Sequence, residues 1–242
     1  MAHYSTMDGP VTAIAAHVAR WRPSLFVGAL LSGLAPSAAQ AIDPLTLYRG
    51  DMLFEIYRDN RAVGSHRVAF EGPADDLTVT ARSEIAVPFL GFIAYRFTYQ
   101  SSSAWRGGIL DSLDAKTDDD GKTSFVQAKN LGGTLSVTGT SGRQAAPAGT
   151  FSTDHWHGGV RGAPMVLNTI TGAVNKVVMT SEGFETVETG TGPREAEKWR
   201  YSGELDTIAW YDRQGRWVRL QFRARDGSTI TYVCRQCGPE PA

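Results

Sequence analysis

Apolar and polar residues alternate in short runs along the chain from Met52 onward. In Leu77 to Val87, aliphatic side chains occupy one face, while threonine, arginine and glutamate occupy the other. A period of two is the spacing of side chains on one face of a β-strand, so each run is typical of a strand with one buried face. Turn residues such as Asp59-Asn60 and Gly107-Gly108 separate the runs. The pattern therefore predicts consecutive antiparallel strands joined by hairpins.

Helices do not alternate with these strands as they would in a parallel sheet. Residues 141–150 are rich in Gly, Ala and Pro and predict a loop, and 152–167 predicts one short helix that begins at Ser152 or Thr153. Because a large twisted sheet curls or closes, we predict an all-β fold with minor α, a strongly curved antiparallel sheet that forms a barrel or an open half-barrel. The predicted strands are 52–58, 63–70, 77–87, 92–105, 109–116, 122–128, 132–138, 173–180, 183–189, 195–202, 207–211, 217–225 and 229–233.

The run 217–225 gives the clearest assignment of faces near the C-terminus. A slip of one residue would bury charge, so strict alternation fixes which face is inside. Trp217 lies an even number of residues before Arg219, Arg223 and Arg225, so the pattern assigns it to the solvated face with these arginines. The core face is Val218, Leu220 and Phe222, and the solvated face is Arg219, Gln221, Arg223 and Arg225.

Residues 1–41 have the pattern of a signal peptide rather than of a folded domain. Arg20 and Arg22 precede an apolar run from Leu25 to Leu34, and the stretch ends in the small-x-small sequence Ala39-Gln40-Ala41. The run is shorter than the ~20 residues that a membrane helix needs. We expect cleavage near Ala41 and Ile42, a periplasmic or secreted protein, no transmembrane segment in the mature chain, and a single antiparallel β domain over 42–242.

Composition narrows the classes of partner. The 242 residues include 24 basic and 25 acidic side chains, a formal net charge of −1. Near-zero charge removes the positive field that attracts nucleic acid, so we expect no nucleic-acid partner. No phosphate-binding, dinucleotide-binding or zinc-protease motif occurs in a suitable setting, and we expect no cofactor.

Aromatic residues on predicted strands are the candidate contacts for an apolar ligand. Tyr95, Phe97 and Tyr99 share one face of a strand, and Trp156 lies in the segment between the two strand-rich halves. His66 shares a strand face with Val68 and Phe70, which is typical of a hydrogen-bonded core histidine. The alternative for His66 is a polar group that faces a ligand in a barrel mouth.

Two further clusters have candidate chemistry. Asp154, His155 and His157 lie close enough in sequence to begin a metal site, but chance clustering in a Gly-rich segment is the simpler interpretation, and we expect no metal. Cys234 and Cys237 form a C-x-x-C motif after the last strand. A local disulfide ranks first in an exported chain, free thiols second, and a catalytic redox pair third.

Several motifs together resemble a family of secreted bacterial proteins known only as a domain of unknown function. The resemblance covers nearly all of the mature chain and implies a compartment and a fold, but no reaction. The pattern is also loosely similar to envelope domains with an open antiparallel barrel, like that of the periplasmic lipoprotein carriers. The motifs are Tyr57-x-x-Asn60-x-x-x-Gly64-Ser65-His66-Arg67-Val68-x-Phe70, Leu167-Asn168-Thr169-x-Thr171-Gly172, Tyr201-x-Gly203-x-Leu205-Asp206-x-x-x-Trp210-Tyr211-Asp212-x-x-Gly215-Arg216 and Asp226-Gly227-x-x-Ile230-x-Tyr232.

Three functions are compatible with these observations. The first is an exported envelope protein, not an enzyme, whose curved sheet binds an apolar ligand such as a lipid or an acyl chain. The second is a structural or interaction domain with a filled core and no ligand. The third is a metal-assisted enzyme that uses His66, His155 and His157.

Overall fold

A computed structural model describes residues 43–90 and 92–239, so the predicted signal peptide lies outside the described residues. Within that part, no helix is both long enough and apolar enough to cross a membrane. One helix, α1 (Pro44–Tyr48), precedes fifteen strands. The strands are β1 (Met52–Arg58), β2 (Arg61–Glu71), β3 (Asp76–Phe89), β4 (Phe92–Arg106), β5 (Ile109–Asp119), β6 (Lys122–Asn130), β7 (Thr134–Gly139), β8 (Gly142–Pro147), β9 (Phe151–Ser152), β10 (Met165–Leu167), β11 (Val174–Thr189), β12 (Gly192–Gly203), β13 (Thr207–Asp212), β14 (Trp217–Arg223) and β15 (Thr229–Gln236).

All fifteen strands belong to one sheet, in the order β8-β7-β6-β5-β4-β3-β2-β1-β15-β14-β13-β12-β11-β10-β9. Strands that are consecutive in sequence are neighbours in the sheet, except β8 and β9, which lie at its two ends. The pairing of β1 with β15 joins the two halves of the chain. Every pair is antiparallel except β9 with β10. The all-β prediction is confirmed, because hairpins connect most of the strands as the turn residues indicate.

The sheet is rolled but not closed. Its two ends meet at the turn 168–172, where the Ser141 amide donates to the Thr171 carbonyl at 2.9 Å. The Val174 amide donates to the side-chain carbonyl of Gln144 at 2.9 Å. These contacts hold β8 beside β11 without making the two strands neighbours in the sheet. The arrangement is an open barrel, one of the two forms that the number of strands predicted.

The inner face of the roll is the apolar face of the strands. On β3, Leu77, Val79 and Ala81 are buried and Ile85 is partly buried, as alternation predicted. The same alternation buries Met52, Phe54 and Ile56 of β1 and Leu113 and Ala115 of β5. The core is therefore built from one face of a single sheet.

The prediction of a short helix within 152–167 is wrong. The helical structure in that segment is limited to one 3-10 turn, Gly158–Val160, with His157 as its N-cap residue, and the segment ends in β10. Gly158, Gly159, Gly162 and Pro164 prevent a longer helix. The short helix lies instead at Pro44–Tyr48, where the Asp43 carboxylate caps the Leu45 amide and proline occupies the first turn.

Two segments between the strand-rich halves also differ from the prediction. The expected loop at 141–150 contains β8, which pairs with β7 despite its small residues. The expected strands 173–180 and 183–189 form one strand, β11. Gly183, at φ +87°, lies in a register shift between Ser181 and Phe184 and lets the strand continue past an irregularity.

The faces of β14 are as predicted except at Trp217. Val218 and Leu220 are buried, Phe222 is partly buried, and Arg223 is exposed. The assignment of Trp217 to the solvated face is wrong, since it is 1% exposed and its ring lies 4.1 Å from that of Phe54. The register shifts between Trp210 and Tyr211, so Trp217 turns inward one residue before the regular alternation begins.

Candidate functional site

Most of the predicted site residues lie inside the rolled sheet. His66, Tyr99 and Trp156 are buried, with at most 6% of each residue exposed. Tyr95 and Phe97 follow the same face of β4 toward its start and are half-buried. The aromatic face of β4 therefore runs from the interior to the end of the barrel.

The segment that follows β9 contributes buried side chains to the core of the roll. The indole ring of Trp156 packs against the rings of Trp105 and Phe70, with centroid distances of 5.1 and 5.4 Å. Asp154 and His155 beside it are equally buried. A ligand at this position would have to displace the segment, because the chain itself occupies the space.

Asp154 anchors this segment to β4. Its carboxylate accepts hydrogen bonds from the Ser152 hydroxyl at 2.8 Å and from the Tyr99 phenol at 3.0 Å. Burial raises the pKa of Asp154, and the two hydrogen bonds oppose that shift. Tyr99 thus serves as an internal hydrogen-bond donor at this site.

His155 is held by two tyrosines in a left-handed backbone conformation, at φ +60°. Its Nδ1 atom is 3.3 Å from the Tyr201 hydroxyl, and the Tyr211 hydroxyl donates to its carbonyl oxygen at 3.2 Å. Burial, with a smaller contribution from nearby His66, lowers the pKa of His155 to about 3. The ring is neutral, and the surrounding contacts maintain a conformation that is unfavourable for most residues other than glycine.

His66 forms the closest approach to a catalytic pair in the described residues. Its Nδ1 atom is hydrogen-bonded to the Ser83 hydroxyl at 2.7 Å, the arrangement of a hydroxyl nucleophile and a base. Both residues are buried, however, and Nε2 of His66 has no hydrogen-bond partner within the described chain. Burial lowers the pKa of His66 to about 4. Without access or an orienting carboxylate, the pair fits a core histidine, the simpler of the two sequence interpretations.

The histidines do not share a metal-binding arrangement. His157 is stacked on Trp105 at 5.5 Å, and its Nδ1 atom accepts a hydrogen bond from the Gly159 amide at 3.1 Å. His155 uses its own Nδ1 atom for Tyr201. Across residues 43–90 and 92–239, no group of three His, Cys, Asp or Glu side chains could hold a metal ion.

A hairpin projects from the barrel where β3 ends and β4 begins. The last residue of β3 that pairs with β2 is Ile85, and the first residue of β4 that pairs with β5 is Phe97. Beyond these positions, Ala86, Val87, Pro88 and Phe89 pair with Arg96, Tyr95, Ile93 and Phe92, in that order. We call residues 86–90 and 92–95 the projecting hairpin. Leu90, Phe92 and Ile93 are 83%, 58% and 48% exposed. Sequence reasoning missed this feature, although ten consecutive residues without charge, 86–95, signal it.

The C-terminal cysteines form a disulfide, and both are 1% exposed. Arg194 donates to the Cys237 carbonyl at 3.4 Å, and Arg216 donates to the Pro239 carbonyl at 2.6 Å. Both guanidinium groups also pair with the buried carboxylate of Asp212, at 3.2 and 2.6 Å. Burial makes these cysteines structural in character, since reactive cysteines are partly exposed.

The family model for the domain of unknown function DUF6134 matches residues 54–235. The chain belongs to this family. The matched part of the DUF6134 domain begins within β1 and ends within β15, the two strands whose pairing joins the halves of the sheet. The expected membership of a family without an assigned function is therefore confirmed.

A solved structure supports the same fold. The DUF6134 chain is similar to a β-barrel-like protein of the domain of unknown function DUF1849 from Brucella abortus, with a TM-score of 0.53 and 12% identity. The similarity covers 76% of this chain and 94% of the other. At this identity it shows the fold alone. No curated protein matches the chain.

Proposed function

We propose that the protein is an exported envelope protein that binds the surface of a lipid bilayer through the projecting hairpin. The main observation that supports this proposal is the exposure of Leu90, Phe92 and Ile93 within one uncharged segment. Clustered exposed apolar side chains typically mark a site of membrane or protein interaction. We therefore propose an apolar contact on the outside of the barrel, because the buried side chains of Asp154, His155 and Trp156 occupy the interior beside the predicted aromatic contacts.

The dimensions and flanking groups of the hairpin suit a lipid interface. Four residue pairs beyond Ile85 and Phe97 extend roughly 13 Å at the rise of a β-strand. Interfacial segments bury their apolar face about 5–10 Å into the headgroup and acyl boundary. At the base, the Tyr95 phenol donates to the Asp119 carboxylate at 2.7 Å. Tyrosine is enriched at the level of the headgroups because one end of its side chain is apolar and the other polar.

A bilayer fits this hairpin better than an added β-strand. A partner strand would need the free backbone edges, and Pro88 removes one amide donor from β3. Charges of both signs surround the base, including exposed Glu84 and Arg96. Binding should therefore depend on apolar burial and change little with salt.

Flotation with phosphatidylcholine vesicles tests the proposal. Replacement of Leu90 and Ile93 by Asp should reduce the bound fraction at least tenfold, because burial of each aliphatic side chain contributes about 1.5–3 kcal/mol. Leu131→Asp is the matched control. Leu131 is 68% exposed but lies in the β6–β7 connection, away from the hairpin.

Two results would contradict lipid binding. One is a wild-type protein that does not float with the vesicles, and the other is equal flotation of wild type and the hairpin variant. Export has a separate test, the intact mass of protein recovered from the periplasmic or secreted fraction. The signal-peptide expectation requires a first residue near Ile42.

A further inference from the structure

A groove of about 450 Å³ lies on the outer face of the sheet, across β1, β15 and β14. The register places Tyr57 opposite Thr231, and Thr231 opposite Gln221. Val233 of β15 lies opposite Arg219 in the same way. The short side chains of the central strand form the floor, and longer side chains on the two flanking strands form the walls. The depression is therefore a consequence of residue size at outward-facing positions.

Arg219 is the basic group of this wall. Its guanidinium lies over the Trp210 ring, with the central carbon 5.3 Å from the ring centroid. Its Nε atom is buried and has no hydrogen-bond partner. Glu185, which accepts a hydrogen bond from the Trp210 indole at 2.6 Å, interacts with the charge of Arg219 but forms no salt bridge with it among the described residues. A half-buried guanidinium that is fixed on an aromatic ring is preorganised to bind a carboxylate through its exposed end.

The groove also contains one acidic group, Asp59, whose carboxylate accepts a hydrogen bond from the Thr229 amide at 2.8 Å. Thr229 lies four residues along β15 from Val233, the residue opposite Arg219, so Asp59 and Arg219 lie at opposite ends of the groove.

The other groups of the groove are neutral. The Gln221 amide donates to the Thr231 hydroxyl at 3.2 Å, which orients both across the floor. Asn60 lies at one end of the groove and Tyr57 at one side. Amide and hydroxyl groups bind the hydroxyls of a sugar, and an aromatic ring provides an apolar side to the site. The polar and charged lining of the groove contrasts with the projecting hairpin, which has no charged group.

We propose that the groove binds a carboxylate-bearing carbohydrate, with Arg219 on the carboxylate and Gln221 and Asn60 on the hydroxyls. The volume lies within the range of small-molecule sites. The inference is independent of lipid binding, since it rests on other residues on another surface.

Ligand-observed NMR titration of the full mature protein tests this assignment with glucuronate, glucose and acetate as probes. Glucuronate should bind with saturation, and Arg219→Gln should weaken it at least tenfold. Arg223→Gln is the control, because Arg223 lies on the same strand, is exposed and does not line the groove. Glucose and acetate should each bind at least tenfold more weakly than glucuronate, since each offers only half of the recognised groups.

Thermal melts of Arg219→Gln and Arg223→Gln show whether these variants fold. Arg219→Lys is a further comparison, because lysine keeps the positive charge but lacks the planar guanidinium group. Partial retention of glucuronate affinity in Arg219→Lys supports the assignment. No saturable glucuronate binding to the wild type overturns it, as does equal binding to wild type and Arg219→Gln. Acetate binding as tight as glucuronate binding would show an unselective anion contact and also overturn it.

Discussion

The buried histidines make stability depend on pH at the residue scale. Burial lowers the pKa of His66 to about 4 from its ordinary value of 6.5. Between these values the unfolded chain binds more protons than the folded chain, so the free energy of unfolding falls as the pH falls. His155 and His157 act in the same direction, because burial lowers their pKa values to about 3 and about 4. Asp154 acts in the opposite direction, since burial raises its pKa.

His66→Gln should isolate one of these contributions. Glutamine can keep the hydrogen bond to Ser83 but does not titrate. Between pH 6 and pH 4.5, the fall in unfolding free energy should lessen by up to about 1.4 kcal/mol per pH unit relative to wild type. Chemical denaturation across this range measures the slope, and exposed Arg67→Gln on the same strand is the control. An unchanged slope in His66→Gln would show that His66 is not a buried neutral group.

Alternation alone predicts the face of His66 but not its partner. Period two places His66 with Val68 and Phe70, and all three are buried. The Ser83 contact depends on the register of β2 with β3, which pairs these two residues directly. The sequence around either residue does not specify that register. Trp217 shows the same limit, because the shift opposite Trp210 and Tyr211 inverts its face.

At the scale of elements, one hydroxyl group, that of Tyr48, links α1 to the buried segment around Trp156 and to β14. The Tyr48 phenol donates to the Trp156 carbonyl at 2.8 Å and accepts from the Trp217 amide at 3.1 Å. One side chain thus satisfies two buried backbone groups, on the interior segment and on β14. The helix was not predicted because five residues leave almost no periodic pattern.

Tyr48→Phe should therefore destabilise the fold by about 1–3 kcal/mol, because it leaves buried backbone groups without a partner. Tyr57→Phe is the matched control. Its hydroxyl contacts Glu55 and Arg235 near the surface, so we expect a change within about 0.5 kcal/mol. Urea denaturation of both variants measures the difference. Equal effects would contradict the role of Tyr48 as the link between α1 and the interior.

At the scale of the whole molecule, the sequence predicts a rolled sheet but not where its ends meet. Strand number and turn spacing indicate curvature, because large twisted sheets curl. The meeting point depends on 168–172, a turn that resembles many others in sequence. There Gly139 approaches the turn 168–172 so closely that a Cβ atom on Gly139 would lie 2.9 Å from the Thr171 oxygen and 3.1 Å from the Gly172 Cα. The absence of a side chain at Gly139 permits this contact between the two ends.

Gly139→Val should open this contact without unrolling the sheet. The added side chain meets backbone atoms, which cannot move aside as a flexible side chain would, and overpacking of this kind destabilises by about 1–3 kcal/mol. Hydrogen exchange should quicken at the Ser141 and Val174 amides, which bridge the two ends. The β1–β15 amides should keep their protection, because that pairing lies far along the sheet. Thr138→Val is the control on the preceding residue. Unchanged exchange at Ser141 and Val174 in Gly139→Val would show that close approach at Gly139 does not hold the ends of the barrel together.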